Sequence, residues 1–332
     1  MRDWRGGIVG RGFGWHVLAR TACQSRCPSA APFPEEIVRV STPNRIAVAR
    51  IFSCPMKRLH LVILLVTSAA RADALRVNGS TTVNLPVAEA AEILRAERKM
   101  DIQVDTQGGS SGGISMLGEG LVQIGMTSRP INDDDRAKYP NVKFHPVHIG
   151  EDAVALVVSK DVWDGGVRAL GREQVRGLYE GRIRNWKDAG GAGGRVVFFN
   201  KEPGRGTWEV FAHWAYGSSK AAPLVSLPEV GGNEETRNKV ASTRGAISQL
   251  SSAWADGRKV FGLGIRGDDG TVVEATPANI AAHRYPMSRP LFVVTNGEPA
   301  GAAKVLIDFL LSDPGQALVK KHGYLALKDL AH

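Results

Sequence analysis

The sequence predicts an α/β protein with two lobes and largely parallel sheets. From residue 75 onward, short apolar runs alternate with helix-like runs, an order that is typical of α/β folds. The 258 residues from 75 to 332 are enough for two lobes of ordinary size. Three turns rich in glycine and hydroxyl side chains, each between a predicted strand and a predicted helix, indicate where a ligand binds.

The predicted strands are short runs of apolar residues that end at turn residues. In chain order they are 75–77, 102–107, 122–126, 153–158, 196–199, 261–265 and 291–294. The predicted helices carry apolar residues at helical spacing, as at positions 87, 90, 91 and 94 of the first one. They are 86–98, opened by a proline, the run that begins at 114, 170–179, 208–216 and 302–311.

Residues 56–74 have the three-part order of a secretory signal peptide. Met56-Lys57-Arg58 is basic, the run Leu59–Val66 is largely apolar, and Ala72-Asp73-Ala74 has the small residues of a cleavage site. The apolar run is too short to span a bilayer. We therefore expect cleavage after Ala74, and the alternative is a buried N-terminal helix.

Residues 1–55 precede this signal and are rich in Arg, Gly and Pro. We interpret them as a mis-called start, with Met56 as the true first residue, or as a disordered extension. Residues 1–74 hold 11 Lys+Arg and 4 Asp+Glu, so the net charge falls from +9 for the whole sequence to +2, from 31 basic and 29 acidic residues, for 75–332. This near-neutral balance removes the argument for nucleic-acid binding. All three cysteines lie before Ala74, so we expect a soluble periplasmic protein without a disulfide or a lipid anchor.

Three turns share one chemistry. They are Gly79-Ser80-Thr81-Thr82, Gly109-Ser110-Ser111-Gly112-Gly113 and Gly204-Arg205-Gly206-Thr207. Each offers hydroxyls and free backbone N–H groups at the N-terminus of a predicted helix, where the helix dipole favours an anion. Because ligands of open α/β folds bind beyond the carboxyl ends of the strands, we expect the three turns to converge in one crevice.

A further hydroxyl and a guanidinium follow the predicted strand 122–126, in Thr127-Ser128-Arg129. Any single turn of this kind is better explained as a helix N-cap, for which Ser and Thr are preferred. A tetrahedral oxyanion, however, needs many donors directed at four oxygens. Three turns together with Ser128 and Arg129 therefore favour an oxyanion site.

These motifs occur in an order that resembles one family, the periplasmic phosphate-binding protein of the high-affinity phosphate ABC transporter, a PstS-like substrate-binding protein. The resemblance covers residues 75–327 and implies the type II periplasmic-binding-protein fold, with a ligand cleft between two lobes. The motifs that carry it are Gly79-Ser80-Thr81-Thr82-Val83, Gly108-Gly109-Ser110-Ser111-Gly112-Gly113-Ile114, Ile124-Gly125-Met126-Thr127-Ser128-Arg129, Gly181-x-Ile183-x-Asn185-Trp186, Gly204-x-Gly206-Thr207, Tyr285-Pro286-Met287-Ser288-Arg289-Pro290-Leu291 and Ser312-Asp313-Pro314-Gly315-Gln316.

The resemblance, carried over position by position, implies a set of phosphate ligands. With the neighbouring turn residues and one candidate proton acceptor, the expected set is Ser80, Thr81, Thr82, Ser110, Ser111, Gly112, Ser128, Arg129, Asp152, Lys201, Arg205, Gly206 and Thr207. We expect no catalytic residue, no metal and no cofactor.

Two positions, one before the third turn and one within it, depart from the family. Lys201 stands where the family usually has Arg, which keeps the charge but loses the planar fork. Arg205 stands where the family usually has Ser, and it either points into the cleft and adds charge or points away and leaves its amide.

A third departure concerns discrimination against sulfate. Some phosphate binders use an Asp to accept a hydrogen bond from the protonated anion, and this chain has Arg129 or Gln123 at the positions where relatives place it. Asp152 is our candidate substitute and Glu151 the second. The alternative, a hydrogen bond that stabilises the hinge at Asp152, stays open.

Two other functions are possible for these residues. Gly108–Gly112 formally matches the Gly-x-Ser-x-Gly elbow of serine hydrolases, but neither His283 nor His322 lies in a recognisable motif. A second rival is a binder of another tetrahedral oxyanion, such as sulfate or molybdate.

We therefore expect a two-lobed clamp. Lobe 1 would comprise 75–152 and 290–332, and lobe 2 would comprise 153–289. An anion bridging donors of both lobes favours the closed form. We expect a monomer that binds inorganic phosphate, binds no nucleic acid, and docks on the permease subunits of an ABC transporter.

Overall fold

The computed structural model describes residues 37–42, 45–50 and 74–330, in two units. In the N-terminal unit, β1 (Ile37–Thr42) pairs with β2 (Arg45–Arg50) as an antiparallel hairpin. The rest of the expected extension and the signal peptide before Ala74 lie outside the described residues. Among the described helices, none is both long enough and apolar enough to cross a membrane.

The second unit alternates strands and helices, as the sequence predicts. Its strands are β3 (Leu75–Gly79), β4 (Ile102–Asp105), β5 (Ile124–Thr127), β6 (Phe144–Val158), β7 (Ala169–Gly171), β8 (Val197–Lys201), β9 (Glu229–Val230), β10 (Ala246–Ser251), β11 (Phe261–Arg266), β12 (Val272–Val273) and β13 (Ser288–Asn296). Its helices are α1 (Asn84–Arg98), α2 (Gly109–Gly118), α3 (Asp133–Lys138), α4 (Lys160–Asp164), α5 (Arg172–Tyr179), α6 (Gly206–Tyr216), α7 (Asn233–Ser242), α8 (Pro277–Ala281), α9 (Gly301–Leu311) and α10 (Asp313–Lys321).

The sheet runs in the order β4-β3-β5-β13-β6-β10-β8-β9, and β11 joins β6 to β7 and β12. The long strand β6 belongs to both halves of it. Its first part, Phe144–Ala153, pairs with β13, and its last part, Val154–Val158, pairs with β10. The expectation of largely parallel sheets is wrong at this point, because β6 and β13 run antiparallel to their neighbours. These are the strands that carry the chain from one half to the other.

The buried apolar residues form separate clusters on either side of this crossing. Two clusters are built from residues up to Ile149 and from Leu291 onward, and they lie around α1, α2, α9 and α10. Two others are built from residues between Ala153 and Met287, around α5 and α6 and behind β10. The hydrophobic cores therefore change at the positions where the chain crosses from one half to the other.

Most predicted elements lie within a few residues of the observed ones, and the helix predicted over 170–179 is α5, preceded by the short strand β7. The largest difference is at β6, which begins at Phe144, well before the predicted start at 153. The sequence analysis did not find α7 or β10. In α7 only Asn233, Thr236 and Val240 are buried, and in β10 every residue is buried although several are polar. Neither element has the apolar period from which helices and strands are predicted.

Candidate anion-binding site

The N-termini of α2 and α6 lie against each other. A Cβ placed on Gly206 would lie 2.6 Å from Ser110 Oγ and 2.6 Å from Ser128 Oγ, so no side chain fits there. The backbone N–H of Ser111 donates to the carbonyl of Gly204 at 3.0 Å. The second and third glycine-rich turns are therefore in direct contact, although nearly a hundred residues separate them in the sequence.

The first turn joins them through a cluster of serine hydroxyls. Ser80 Oγ donates to Ser128 Oγ at 3.0 Å and accepts the backbone N–H of Thr82 at 3.2 Å. Ser110 Oγ accepts the backbone N–H of Ser128 at 3.1 Å and lies 3.4 Å from Ser128 Oγ. All three serines are buried. The three turns and the end of β5 thus converge at one place, as the sequence predicts.

Two glycines of these turns serve close packing. Gly79 has a φ of +142°, and a Cβ there would lie 2.1 Å from the carbonyl oxygen of Met126. A Cβ on Gly112 would lie 2.1 Å from the carbonyl oxygen of Gln107, and its N–H already donates to Gly108 at 3.0 Å. The expected role of Gly112 as an anion donor is therefore not supported by its contacts, because its N–H is used inside the turn.

The centre of the cluster is occupied by Arg289, a residue that the sequence analysis did not place in the site. Its side chain is 1% exposed. Nη1 donates to Ser128 Oγ at 3.2 Å and to Thr207 Oγ1 at 3.0 Å, and Nη2 donates to Thr82 Oγ1 at 3.1 Å. Arg289 stands in the segment 285–291 that resembles the family, but one arginine in a strand has no pattern that marks it as a ligand.

Asp152 lies directly behind Arg289. Its Oδ2 accepts from Arg289 Nε at 3.1 Å and from Nη2 at 2.7 Å, and its Oδ1 accepts from Ser252 Oγ at 3.0 Å. Both carboxylate oxygens therefore have partners. Arg289 and Ser252 hold Asp152 in place, and these contacts fit the alternative role at the hinge. Glu151, the second candidate, lies 3.9 Å from each of two histidine rings and contacts no residue of the expected site.

Arg129 has its charge balanced by two carboxylates. Nη1 donates to Asp135 Oδ2 at 2.5 Å, and Nε forms an ion pair with Glu209 Oε2 at 2.6 Å. Burial lowers the pKa of Arg129, but hydrogen bonding to Asp135 and the charge of Glu209 outweigh it, so the pKa is raised overall. We expected a guanidinium free for the anion, and these contacts do not support that expectation.

Ser111 connects Arg129 with the opposite helix. Its Oγ accepts from Arg129 Nη2 at 3.2 Å and donates to Glu209 Oε1 at 3.0 Å. Glu209 stands in the first turn of α6, where a carboxylate complements the helix dipole. The sequence analysis did not single out Glu209, because an acidic residue in a first helical turn is an ordinary feature.

Arg205 lies between the two glycine-rich turns and an acidic partner. Its Nε and Nη2 donate to Glu202 Oε2 at 2.9 and 2.6 Å. A Cβ on Gly109 would lie 2.9 Å from Arg205 Cδ, so the arginine stem covers the start of α2. The side chain thus passes over the second turn while its charge is paired with Glu202. The sequence left open whether Arg205 points into the cleft and adds charge or points away and leaves its amide. The side chain lies over the second turn, but Glu202 balances its charge.

Lys201 ends β8 and is 1% exposed. Its Nζ donates to the carbonyls of Gly231 and Gly232 at 2.8 and 3.0 Å and lies 2.5 Å from Thr236 Oγ1. Among the described residues, no carboxylate forms an ion pair with it. Burial first, and then the charges of Arg205 and Arg289, hold the pKa of Lys201 well below its usual range.

The N-terminus of α7 contributes a fourth helix end. Asn233 Nδ2 donates to Thr82 Oγ1 at 3.1 Å, and Asn233 is buried. A Cβ on Gly232 would lie 3.5 Å from Thr81 Cγ2, so this helix end also packs on the first turn. No side-chain hydrogen bond of Thr81 is found in the described part of the chain. Because α7 has too few apolar residues to be predicted as a helix, the sequence analysis missed this group.

The contacts of Ser110 are not those of a nucleophile. Its hydroxyl interacts with the backbone N–H and the Oγ of Ser128. His322 pairs with Glu89 at 2.9 Å, and His283 lies 3.9 Å from Glu151. Within the described residues, neither histidine contacts Ser110, so the general base that a serine hydrolase requires is missing from the elbow.

Comparison with known proteins places this arrangement in a family. A family model described as the PBP superfamily domain matches residues 66–314. The phosphate-binding protein PstS of Bacillus subtilis is 30% identical over 258 residues, which are 77% of this chain and 81% of the relative. The PstS of Staphylococcus epidermidis is 26% identical over 270 residues, or 75% of this chain and 77% of the relative.

Solved structures give the same result. A putative phosphate ABC transporter substrate-binding protein from Clostridium perfringens, with bound phosphate, matches with a TM-score of 0.67 at 28% identity, over 77% of this chain and 100% of that one. An ABC-type phosphate transport receptor from Vibrio cholerae matches with a TM-score of 0.61 at 26% identity, over 76% of this chain and 99% of that one.

Proposed function

Because this chain belongs to the PBP superfamily, and within it to the PstS family of phosphate-binding proteins, we propose that it captures inorganic phosphate and delivers it to the permease of an ABC transporter. It is a binding protein and not an enzyme. The single observation that carries the proposal is the convergence of hydroxyls on the guanidinium of Arg289, with Thr82 from the first turn, Thr207 from the third turn and Ser128 from the end of β5.

The anion would take the place of contacts that the hydroxyls now make with one another. Thr82, Ser110, Ser128 and Thr207 are buried and lie around Arg289, so their O–H groups need only rotate to face an oxyanion. The N-termini of α2 and α6 add backbone N–H groups and a favourable dipole. Arg289 supplies the planar fork that suits a phosphate oxygen pair.

The remaining expected residues would support this site. Arg129 and Arg205 are neutralised by carboxylates, so we assign them to positioning Ser111 and the second turn. Ser80 holds the first turn in place by accepting the N–H of Thr82. Lys201 holds the 231–232 turn through its two carbonyls.

We also propose the lobe boundaries 75–152 with 290–332, and 153–289. The change of hydrophobic core near Ile149 and Leu291 supports these boundaries. Phosphate would contact donors from both lobes, so binding would stabilise the closed form by contacts that the open form lacks.

We propose that the protein works outside the cytoplasm, where PstS-like substrate-binding proteins function. Export through residues 56–74 and the absence of a lipid anchor belong to the same proposal, and they rest on the order of basic, apolar and small residues in that segment.

Calorimetric titration of the exported protein with phosphate tests the function. We expect saturable binding of one anion, with arsenate as a competitor because it shares the shape and the protons of phosphate. Titrations with sulfate and molybdate distinguish the two hypotheses, since tighter binding of either anion than of phosphate would mean that the protein is a binder of another tetrahedral oxyanion. Absence of phosphate binding at about 1 mM, the weakest affinity worth naming for such a site, would overturn the proposal.

A further inference from the structure

Lys201 is a buried lysine for which the described part of the chain supplies no carboxylate partner. The other cations around the cluster are paired, Arg289 with Asp152, Arg205 with Glu202, and Arg129 with two carboxylates. Among the described residues, Lys201 contacts two carbonyls and one hydroxyl. A buried charge without a counter-charge is costly, and a lysine can lose its charge where an arginine cannot.

The groups around Lys201 can form hydrogen bonds with both of its protonation states, and only the Thr236 hydroxyl has to rotate. A charged ammonium has three donors, which meet the carbonyls of Gly231 and Gly232 and Thr236 Oγ1. In that state the Thr236 hydroxyl donates to the Gly232 carbonyl at 2.8 Å. A neutral amine has two donors for the two carbonyls, and its lone pair accepts the Thr236 hydroxyl after a rotation. Thr236 is buried, so no water is needed for the exchange.

The charged groups facing Lys201 come from three further segments. Arg205 of the third turn and Arg289 of β13 oppose its charge, whereas Glu235 of α7 and Glu202, between β8 and the third turn, favour it. Burial exceeds each of these contributions, and together they lower the pKa of Lys201. A phosphate bound at Arg289 would add two negative charges to this set and would favour the ammonium.

We propose that phosphate binding is coupled to the uptake of one proton at Lys201, with the Thr236 hydroxyl as the rotor that accommodates both states. The proposal rests on the proposed function. The empty site holds a neutral amine, the anion arrives, and one proton from solvent or buffer converts the amine to the ammonium that balances it. Linkage makes the affinity depend on pH between two pKa values of Lys201, the lower one in the protein without phosphate and the higher one in the complex. Between these two pKa values, the affinity for phosphate falls as the pH rises.

Calorimetry of the full exported protein in buffers with different heats of ionisation measures the proton count. The measurement is made at a pH where phosphate is already the dianion, so that the anion's own protons take no part in the exchange. We expect the wild type to take up close to one proton per phosphate in this window and to lose about tenfold in affinity per pH unit. We expect Lys201→Arg, whose charge is permanent, to take up none.

Two further variants separate this coupling from a general loss of structure. Thr236→Val keeps the shape but removes the third acceptor of the ammonium, so we expect the same uptake with the window shifted to lower pH. Lys220→Arg makes the same chemical change at a lysine that is 77% exposed, and we expect the wild-type proton count.

The outcomes are distinguishable from failure of the proposed function. If the wild type binds no phosphate, the proposed function fails. If it binds phosphate but takes up no proton where phosphate is fully dianionic, the coupling alone is overturned, whether or not any variant folds. Equal uptake in wild type and Lys201→Arg would assign the proton to another group and would also overturn it.

Discussion

Arg289 and Asp152 form a buried ion pair in which Oδ2 of the carboxylate accepts two N–H groups of one guanidinium, at 3.1 and 2.7 Å. The side chains are 1% and 0% exposed, and 137 residues separate them. The pair joins the two crossing strands, since Asp152 belongs to β6 and Arg289 to β13, and the register places the two residues opposite each other. The pair therefore fixes the guanidinium that donates to the hydroxyls of Thr82, Ser128 and Thr207.

Breaking this pair from one side should cost more stability than removing both partners. Arg289→Met leaves a buried carboxylate without its partner, and we expect a loss of about 3–5 kcal/mol in the free energy of unfolding together with loss of phosphate binding. In the double variant with Asp152→Asn, part of that loss should be recovered. Urea denaturation of both single variants and the double variant measures the coupling. Additive losses would show that the pair does not act as a unit.

Gly206→Ala should abolish binding while leaving the fold in place. The added methyl group would lie 2.6 Å from two serine oxygens, Ser110 Oγ and Ser128 Oγ, so α6 must move away from α2. Gly171→Ala is the matched control, because a Cβ there has no neighbour closer than 3.8 Å. Titration with phosphate and a circular dichroism spectrum check both points. Wild-type affinity in Gly206→Ala would contradict the contact between the turns.

Glu209→Gln should weaken phosphate binding by opening one contact between α6 and the second turn. The carboxylate accepts from Ser111 and pairs with Arg129, and a neutral amide loses the charge-assisted part of both interactions. We expect an affinity loss of about 1.5–3 kcal/mol, the range for hydrogen bonds to charged groups. Glu173→Gln, in an exposed pair with Arg176, is the control and should bind as the wild type does.

Stability in the absence of phosphate should rise with pH because of Lys201. Its pKa in the folded protein is lowered from 10.5, so between the two values the unfolded chain holds a proton that the folded protein has released. The unfolded state then binds more protons, and the free energy of unfolding increases with pH in that window, by at most about 1.4 kcal/mol per unit. Below the folded-state value the contribution is constant.

Denaturation of wild type and Lys201→Met across this pH range provides the measurement. We expect the unfolding free energy of the wild type, minus that of Lys201→Met, to increase with pH. Saturating phosphate should weaken this pH dependence. Lys220→Met, at an exposed lysine, should follow the wild type. A parallel pH dependence of Lys201→Met and wild type would mean that Lys201 keeps its proton in the empty site.

Local patterns were enough to predict the α/β class, most of the strands and helices, and the three turns. The turns were recognised from glycine next to Ser or Thr at a strand–helix junction, but the reason for Gly79 and Gly206 is contact with distant residues, since a Cβ there would overlap atoms of Met126 and of Ser110 and Ser128. The order of the turns also carries the family resemblance. The antiparallel pairing of β6 with β13 was not predicted, because pairing depends on residues far apart in the chain.

By itself, the sequence determined which donors are available and in which turns they stand. The tertiary structure decided which of those donors remain free for an anion. Arg129 and Arg205 have the right chemistry but are neutralised by Glu209 and Glu202, whereas Arg289, in an inconspicuous strand, holds the centre. The physical reason is that the availability of a charge depends on its partners and its burial, and both are set by contacts between segments that the sequence keeps apart.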